Sequence, residues 1–310
     1  MDVGKISEKI LKRSITNIIG RGPVSGIDAA SFPGKADYIL TSTQVGTIDN
    51  PLNGTLVVYK AANNIWAAGG ELTGIQTAFI FPPKMKERDI KALTRQIIKA
   101  AKECNTYILG GHTQVSDSVV RPVVTITAIG KTDNTPGNVR GVRPGWDIIL
   151  SKWAGLEETA LALQDESVYG RLTEHFDASY FYEMEDCASW LTIEREAAIA
   201  KKYGALMHDL SEDGVFGALW DMSEASSYGF VIDVGKIPFR QQTTEICTYL
   251  SKDAYRVKSS GSLMMVCDNG YALTEALDKE GIPSVIIGQV SDNNDKIVMN
   301  GEEIRYLDKK

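Results

Sequence analysis

An apolar run that meets two glycines and then small polar side chains constrains this chain most: Ile108-Leu109-Gly110-Gly111-His112-Thr113-Gln114-Val115. A glycine pair lets a backbone turn sharply and lets a ligand approach it closely. A strand ending in one can therefore floor a site for a charged small molecule, and it can equally be an ordinary turn. On this reading Thr106–Leu109 is a short strand that stops at Gly110. Whether a site follows depends on what the rest of the chain brings to it.

Ile6, Ile10, Leu11, Ile15, Ile18 and Ile19 recur at helical spacing and predict an amphipathic helix over 6–19. The glycine-rich stretch after it excludes regular structure and sets Asp28 beside two alanines, as a turn residue or as a metal or phosphate ligand. Residues 38–43 predict a strand that becomes polar where Thr43 stands, and Val57–Ala68 a helix with Asn63 and Asn64 inside it. Two adjacent amides there either face solvent or point into a cleft. Leu72–Phe81 reads as a strand and Glu87–Glu103 as an amphipathic helix with Ile90, Leu93, Ile97, Ile98 and Ala101 on one face. Val119–Ile129 is a strand whose Pro122 suits an edge or a bulge. Lys131–Gly145 is rich in turn residues and divides the chain into domains 1–142 and 143–310.

The second half predicts strands at Asp147–Ser151, Ala205–Asp209, Phe230–Val234, Leu263–Cys267 and Ser284–Gln289. Helices are expected around Glu157–Gln164, Ser189–Tyr203, Gln241–Leu250 and Tyr271–Glu280, with another starting at Val215. The strand-turn-helix near Asp209 sets that residue and Ser211 beside the free N–H groups of a helix start, a geometry suited to an anion or a metal. Helix capping alone also accounts for such residues. Without regular βαβ spacing, the alternation favours an α+β fold.

With a net charge of -7, a pI near 5.2 and no run of Lys or Arg, the chain lacks the footprint of a nucleic-acid binder. An anionic ligand must then be held by local devices, because the global field does not attract it. Cys104, Cys187, Cys247 and Cys267 show no metal-ligand spacing and read as buried reduced thiols. The N-terminus lacks a signal-peptide pattern and no apolar run is long enough to span a bilayer, so a cytoplasmic protein without membrane contact is expected.

Taken together, Gly26-Ile27-Asp28-Ala29-Ala30, Thr41-Ser42-Thr43, Asn63-Asn64-Ile65-Trp66-Ala67-Ala68-Gly69, Gly110-Gly111-His112-Thr113, Asp209-Leu210-Ser211-Glu212-Asp213-Gly214 and Ser259-Ser260-Gly261 resemble the aminoimidazole ribonucleotide (AIR) synthase superfamily in this order. Ser223-Glu224-Ala225-Ser226, Ile237-Pro238-Phe239-Arg240 and the stretch from Gly281 to Gly288 are similar to its hydrogenase-maturation branch, HypE. The resemblance implies a PurM-like α+β fold in which the N-terminal sheet pairs with that of a second subunit into a barrel, beside a C-terminal α/β domain. It also implies ATP between the domains, Mg²⁺ on its phosphates, and activation of an oxygen by phosphorylation.

The resemblance carries Asp28, Thr43, Asn64, Gly110, Gly111, Thr113 and Ser211 to the nucleotide, Asp28, Asn64 and Asp209 to the metal, and His112 and Asp209 to catalysis. Relatives have aspartate where this chain has Thr43, Asn64 and His112, which predicts a weakened Mg²⁺ site. An imidazole at His112 suits a softer metal, a base or a purely structural hydrogen bond. The basic residues of the relatives' Arg-Asp-Pro-Thr-Arg-Gly-Gly stretch are His208 and Glu212 here. HypE proteins end in a cysteine that carries a carbamoyl group; Arg305–Lys310 contains none, so carbamoyl dehydration on its own tail is not expected. Two functions stay open: an ATP-dependent synthetase or kinase for an unidentified small molecule, or a non-catalytic homodimer that binds a nucleotide or partner.

Overall fold

The computed structural model describes residues 30–33, 38–133, 141–184 and 186–308, with side chains from residue 38 onward. The helix predicted over 6–19 and Asp28 lie outside them. Two sheets organise the described chain. The first comprises β1 (Ala30–Pro33), β2 (Tyr38–Thr47), β5 (Val123–Thr132), β3 (Glu71–Phe81) and β4 (Ile108–Val115), side by side in that order. Only β3 and β4 run parallel.

Helix α1 (Asn53–Ala67) lies on one face of this sheet and α2 (Glu87–Glu103) packs beside it. In α1 every residue from Leu56 to Ala67 is buried, and Lys60 is its one charged side chain. A helix apolar all round must be covered on all sides, and α1 is covered by the first sheet and by the second half of the chain. It starts four residues before the predicted Val57, because Asn50 accepts a hydrogen bond from Leu52 N (2.9 Å) and turns the chain into it. On α2, Leu93, Ile97 and Ala101 are buried as their spacing predicts, whereas Ile98 is 40% exposed.

The glycine pair sits inside a strand. Gly110 and Gly111 pair with Gln76 and Thr77, and β4 continues to Val115. A Cβ at Gly111 would collide with the carbonyl oxygen of Thr77, so close strand packing explains that glycine, while Gly110 faces open space. Pro122 precedes β5 rather than interrupting it. With no ladder bond required of Pro122, β5 occupies the centre of the sheet and not the expected edge.

The second sheet has the order β12 (Glu303–Tyr306), β11 (Lys296–Asn300), β8 (Phe230–Asp233), β10 (Ser284–Val290), β6 (Asp147–Ser151), β9 (Leu263–Cys267), β7 (Leu206–Asp209). Its pairs are antiparallel except β8 with β11. Both faces are covered, so β6 and β9 are buried throughout. Ile148, Leu150, Met264 and Val266 join one core with α6 (Gly214–Ser226). Ile149, Met265 and Cys267 join another with α5 (Glu194–Lys202) and α8 (Gly270–Lys279), and that core runs on into α1 and the first sheet. Helices α3 (Leu156–Gln164), α4 (Glu166–Thr173) and α7 (Gln241–Tyr249) complete the half. The helix expected over 189–203 is divided: a 3-10 turn at Cys187–Trp190, a short irregular link, then α5. No described helix is long and apolar enough to cross a membrane.

Candidate functional site

A lysine alone in an apolar helix must find opposite charge, because burying an unpaired ammonium is costly. Lys60 is 7% exposed, and its Nζ lies 3.1 Å from Glu157 Oε1 at the start of α3. It also donates to Glu212, whose second oxygen is 3.4 Å from Lys258 Nζ. Burial drives the Lys60 ammonium toward losing its proton, but the two carboxylates outweigh that and push its pKa up to about 12. Burial likewise raises the Glu212 carboxyl, and Lys60 and Lys258 more than reverse it. Glu212 is thus one link in a chain of charge joining α1 to the second half. Glu157 Oε2 and Ser260 Oγ, both buried, have no hydrogen-bond partner among the described residues.

One helical turn on, Asn63 makes the second polar link. Its amide donates to the carbonyl of Leu191 (2.9 Å), accepts from Ile193 N (3.2 Å) and lies 3.4 Å from Asp209 Oδ1. These bonds engage the backbone of residues 191–193 outside any helix, which is why the predicted long helix is divided there. Asp209 ends β7 and is buried. Ser211, half-buried, offers its carbonyl to Ser259 N at 3.1 Å. Neither residue caps α6, which begins at Gly214 after a cap position, Asp213, with no side-chain bond. Gly261 at φ +100° is required by the close approach of Trp190 and Leu191.

The other expected site residues fall into two groups. Asn64 is buried on the helix side of the first sheet, where its amide donates to Ser42 Oγ at 2.9 Å. Thr43 faces the opposite side, bonded to Thr127 Oγ1 at 2.9 Å. Side chains alternate along a strand and paired residues share a face. By the ladder register, Thr43, Thr127, Gln76 and Gly110 therefore form one row of that outer face, and Val45, Thr125, Ala78 and His112 the next. His112 is exposed there, 3.3 Å from Gln114 Oε1, and Thr113 lies exposed on the helix side of the same edge strand. With β2 and β4 three strand spacings apart, Thr43 and His112 are separated by roughly 15 Å. The fold thus brings Asp209 to α1 through Asn63, and leaves Thr43 and His112 on the far face of the sheet.

Among the described residues no group of three or more His, Cys, Asp or Glu is arranged to hold a metal. The donor set at the junction does not fit a protein-only Mg²⁺ cage, which needs near-octahedral oxygen ligation. Sequence reasoning passed over Lys60, Glu157 and Lys258, and singled out Asn63 only as one of two adjacent amides. For Lys60 the signal was present, as the single charge in an otherwise apolar helix; Glu157 and Lys258 look like ordinary surface residues until the halves meet.

The chain matches the AIR synthase related protein N-terminal domain over residues 28–132 and the C-terminal domain of the same family over residues 148–300. It is 24% identical over 276 residues to a Methanocaldococcus jannaschii protein that bears the name hydrogenase expression/formation protein, covering 84% of this chain and 79% of that one. The hydrogenase maturation protein HypE in complex with ATP has the same fold, with a TM-score of 0.74 at 17% identity over 99% of this chain and 96% of that one. AaThiL complexed with AMPPCP and TMP gives 0.75 at 15% identity over 97% and 98%. The architecture is the α+β PurM-like two-domain fold, and the chain belongs to the AIR synthase related proteins, similar to HypE at low identity.

Proposed function

We propose that this protein binds ATP at the junction of its two halves and transfers a phosphoryl group to a small molecule in the cytoplasm. The observation that carries the reading is that both domain types of a family whose relatives have been captured with ATP or AMPPCP are present here in the same fold. Phosphoryl transfer asks the protein mainly for positioning and charge neutralisation. In this reading Asp209, oriented by Asn63, is the acid at the reacting end, with Ser211 beside it. Lys60 and Lys258 are balanced by Glu157 and Glu212, so the positive charge that polyphosphate requires would come with its divalent ion. A divalent ion would arrive with the nucleotide and take most of its ligands from the phosphates, with Asp28, Asn64 and Asp209 as the candidate protein donors.

Two copies are proposed to stack the outer faces of their first sheets. That face carries Val45, Thr125, Ala78, Ile80 and Ile129, and Val45 is 66% exposed. Stacking would place Thr43, Gly110 and His112 against the partner, with Gly111 and Thr113 on the other side of the same edge strand. Pairing of two sheets would then bring the residues that lie apart in one chain toward a shared nucleotide site.

A second reading is a homodimer that binds nucleotide without turnover. It is favoured by Asn64 and Asp209, which stand where relatives carry acids and are both engaged by neighbouring side chains. Calorimetric titration with a non-hydrolysable ATP analogue, with and without Mg²⁺, separates the two. Binding that requires Mg²⁺ is expected; equal binding without metal would favour the scaffold, and no binding in either condition would end both readings. His112→Asp with Asn64→Asp is expected to tighten the Mg²⁺-dependent component.

A further inference from the structure

We propose that a second cleft, between the end of β6 and the segment leading into α5, binds a small aromatic carboxylate. Its volume is about 230 Å³, and its walls include Lys152, Trp153, Trp190, Arg195, Glu196 and Ile282. A dry cavity of about 150 Å³ is enough to take up benzene, so this one has room for a ring and a small polar group.

The aromatic half of the proposal rests on two tryptophans. Trp153 and Trp190 have ring centroids 5.2 Å apart with planes inclined at 52°, and both are only partly buried. A large aromatic surface left uncovered beside a cavity is suited to receive another ring edge-on or offset. The Arg240 guanidinium lies 4.7 Å from the Trp153 ring centre, and its Nη2 donates to Glu183 at 2.9 Å. That contact fixes the indole from one side.

The floor is built, at a cost in conformation and charge. Lys152 has φ +53°, the left-handed region that a side-chain-bearing residue avoids, and it is 9% exposed. Its ammonium donates to the carbonyls of Trp190 (2.8 Å) and Thr192 (2.6 Å) and pairs with Glu196 Oε1 at 2.6 Å. Three donors meet three acceptors, so Lys152 has nothing left for a ligand. It is a positioning residue, a strut that holds Trp190 against β6, while its backbone N–H donates to Pro283 O at 2.7 Å on the opposite wall.

The charge preference comes from Arg195. Lys152 and Glu196 cancel, whereas Arg195 is 67% exposed at its side chain and, among the described residues, is held by Glu280, through the carbonyl at 2.8 Å and a loose 3.8 Å carboxylate contact. A guanidinium has five N–H donors in a planar fork that matches a carboxylate, and most of these are uncommitted here. A ring laid against the uncovered side of the tryptophan pair, with its carboxylate toward Arg195, satisfies both features. The role of such a ligand as co-substrate rests on the nucleotide reading above; its binding does not.

The test is a calorimetric titration of the full chain with benzoate, without nucleotide. Saturable binding is expected, weakened at least tenfold by Arg195→Ala and by Trp190→Leu, with benzylamine failing to compete. Arg195 is exposed, so its replacement leaves the fold intact by circular dichroism. Absence of benzoate binding, equal binding to Arg195→Ala, or equal competition by benzylamine would overturn the proposal. Titrating the ATP analogue into the parent protein as well keeps the two ideas apart: benzoate binding with no nucleotide binding would remove the nucleotide reading alone.

Discussion

Lys60 Nζ and Glu157 Oε1 lie 3.1 Å apart across the two halves of the chain, with side-chain exposures of 9% and 2%. Removing one member of such a pair strands the other charge in a dry site. Lys60→Met is therefore expected to lower unfolding stability by about 3 kcal/mol in urea denaturation, and Lys60→Met with Glu157→Met to recover most of it. A loss in the double variant as large as in the single one would mean that packing, not charge, holds the junction.

The two asparagines are expected to differ. Asn63→Ala leaves the Leu191 carbonyl and the Ile193 N–H without their partner in a buried setting, at a cost of about 3 kcal/mol. Asn64→Ala removes one bond to a serine that can reorient, at about 1 kcal/mol. Chemical denaturation of the two variants side by side checks the order.

The Lys60–Glu212 link gives stability a pH dependence at both extremes. Glu212 is held below its ordinary value, so its contribution is present above the usual carboxylate range and lost as pH falls through its folded value. Lys60 is held above its ordinary value, so its contribution is complete below pH 10.5 and lost as pH rises from there to about 12. Thermal melts of Glu212→Gln should show a flatter acid limb than the parent protein.

The outer face of the first sheet is where dimer formation is tested. Val45→Glu puts a charge in the middle of it, and sedimentation velocity should then show a monomer where the parent sediments as a dimer. A parent that already sediments as a monomer would remove the barrel arrangement.

Cys104, Cys187, Cys247 and Cys267 are buried and unpaired, and burial pushes the first three thiols up to about 12, 12 and 11. With so little thiolate at neutral pH, the native protein is expected to resist a thiol reagent that titrates all four cysteines after denaturation. Rapid labelling of the native protein would mean that these sites open readily.

Local pattern was sufficient for much of the architecture. The 3.6-residue period of Glu87–Glu103 and the apolar run Leu263–Cys267 mark an element from end to end, because each depends on which face of a short segment meets water. The order of polar clusters along the chain was enough to point to the family. What the sequence left open were relations between distant segments. Gly110 and Gly111 read as a stop until β3 pairs with them, and Asn63 and Asn64 read alike until one reaches Leu191 and the other Ser42. Lys60, Glu157 and Glu212 acquire meaning only when α1 is enclosed by both halves. Periodicity is a property of neighbours in sequence, whereas burial of a charge and the partner that stabilises it are properties of neighbours in space, and those exist only once the chain has folded.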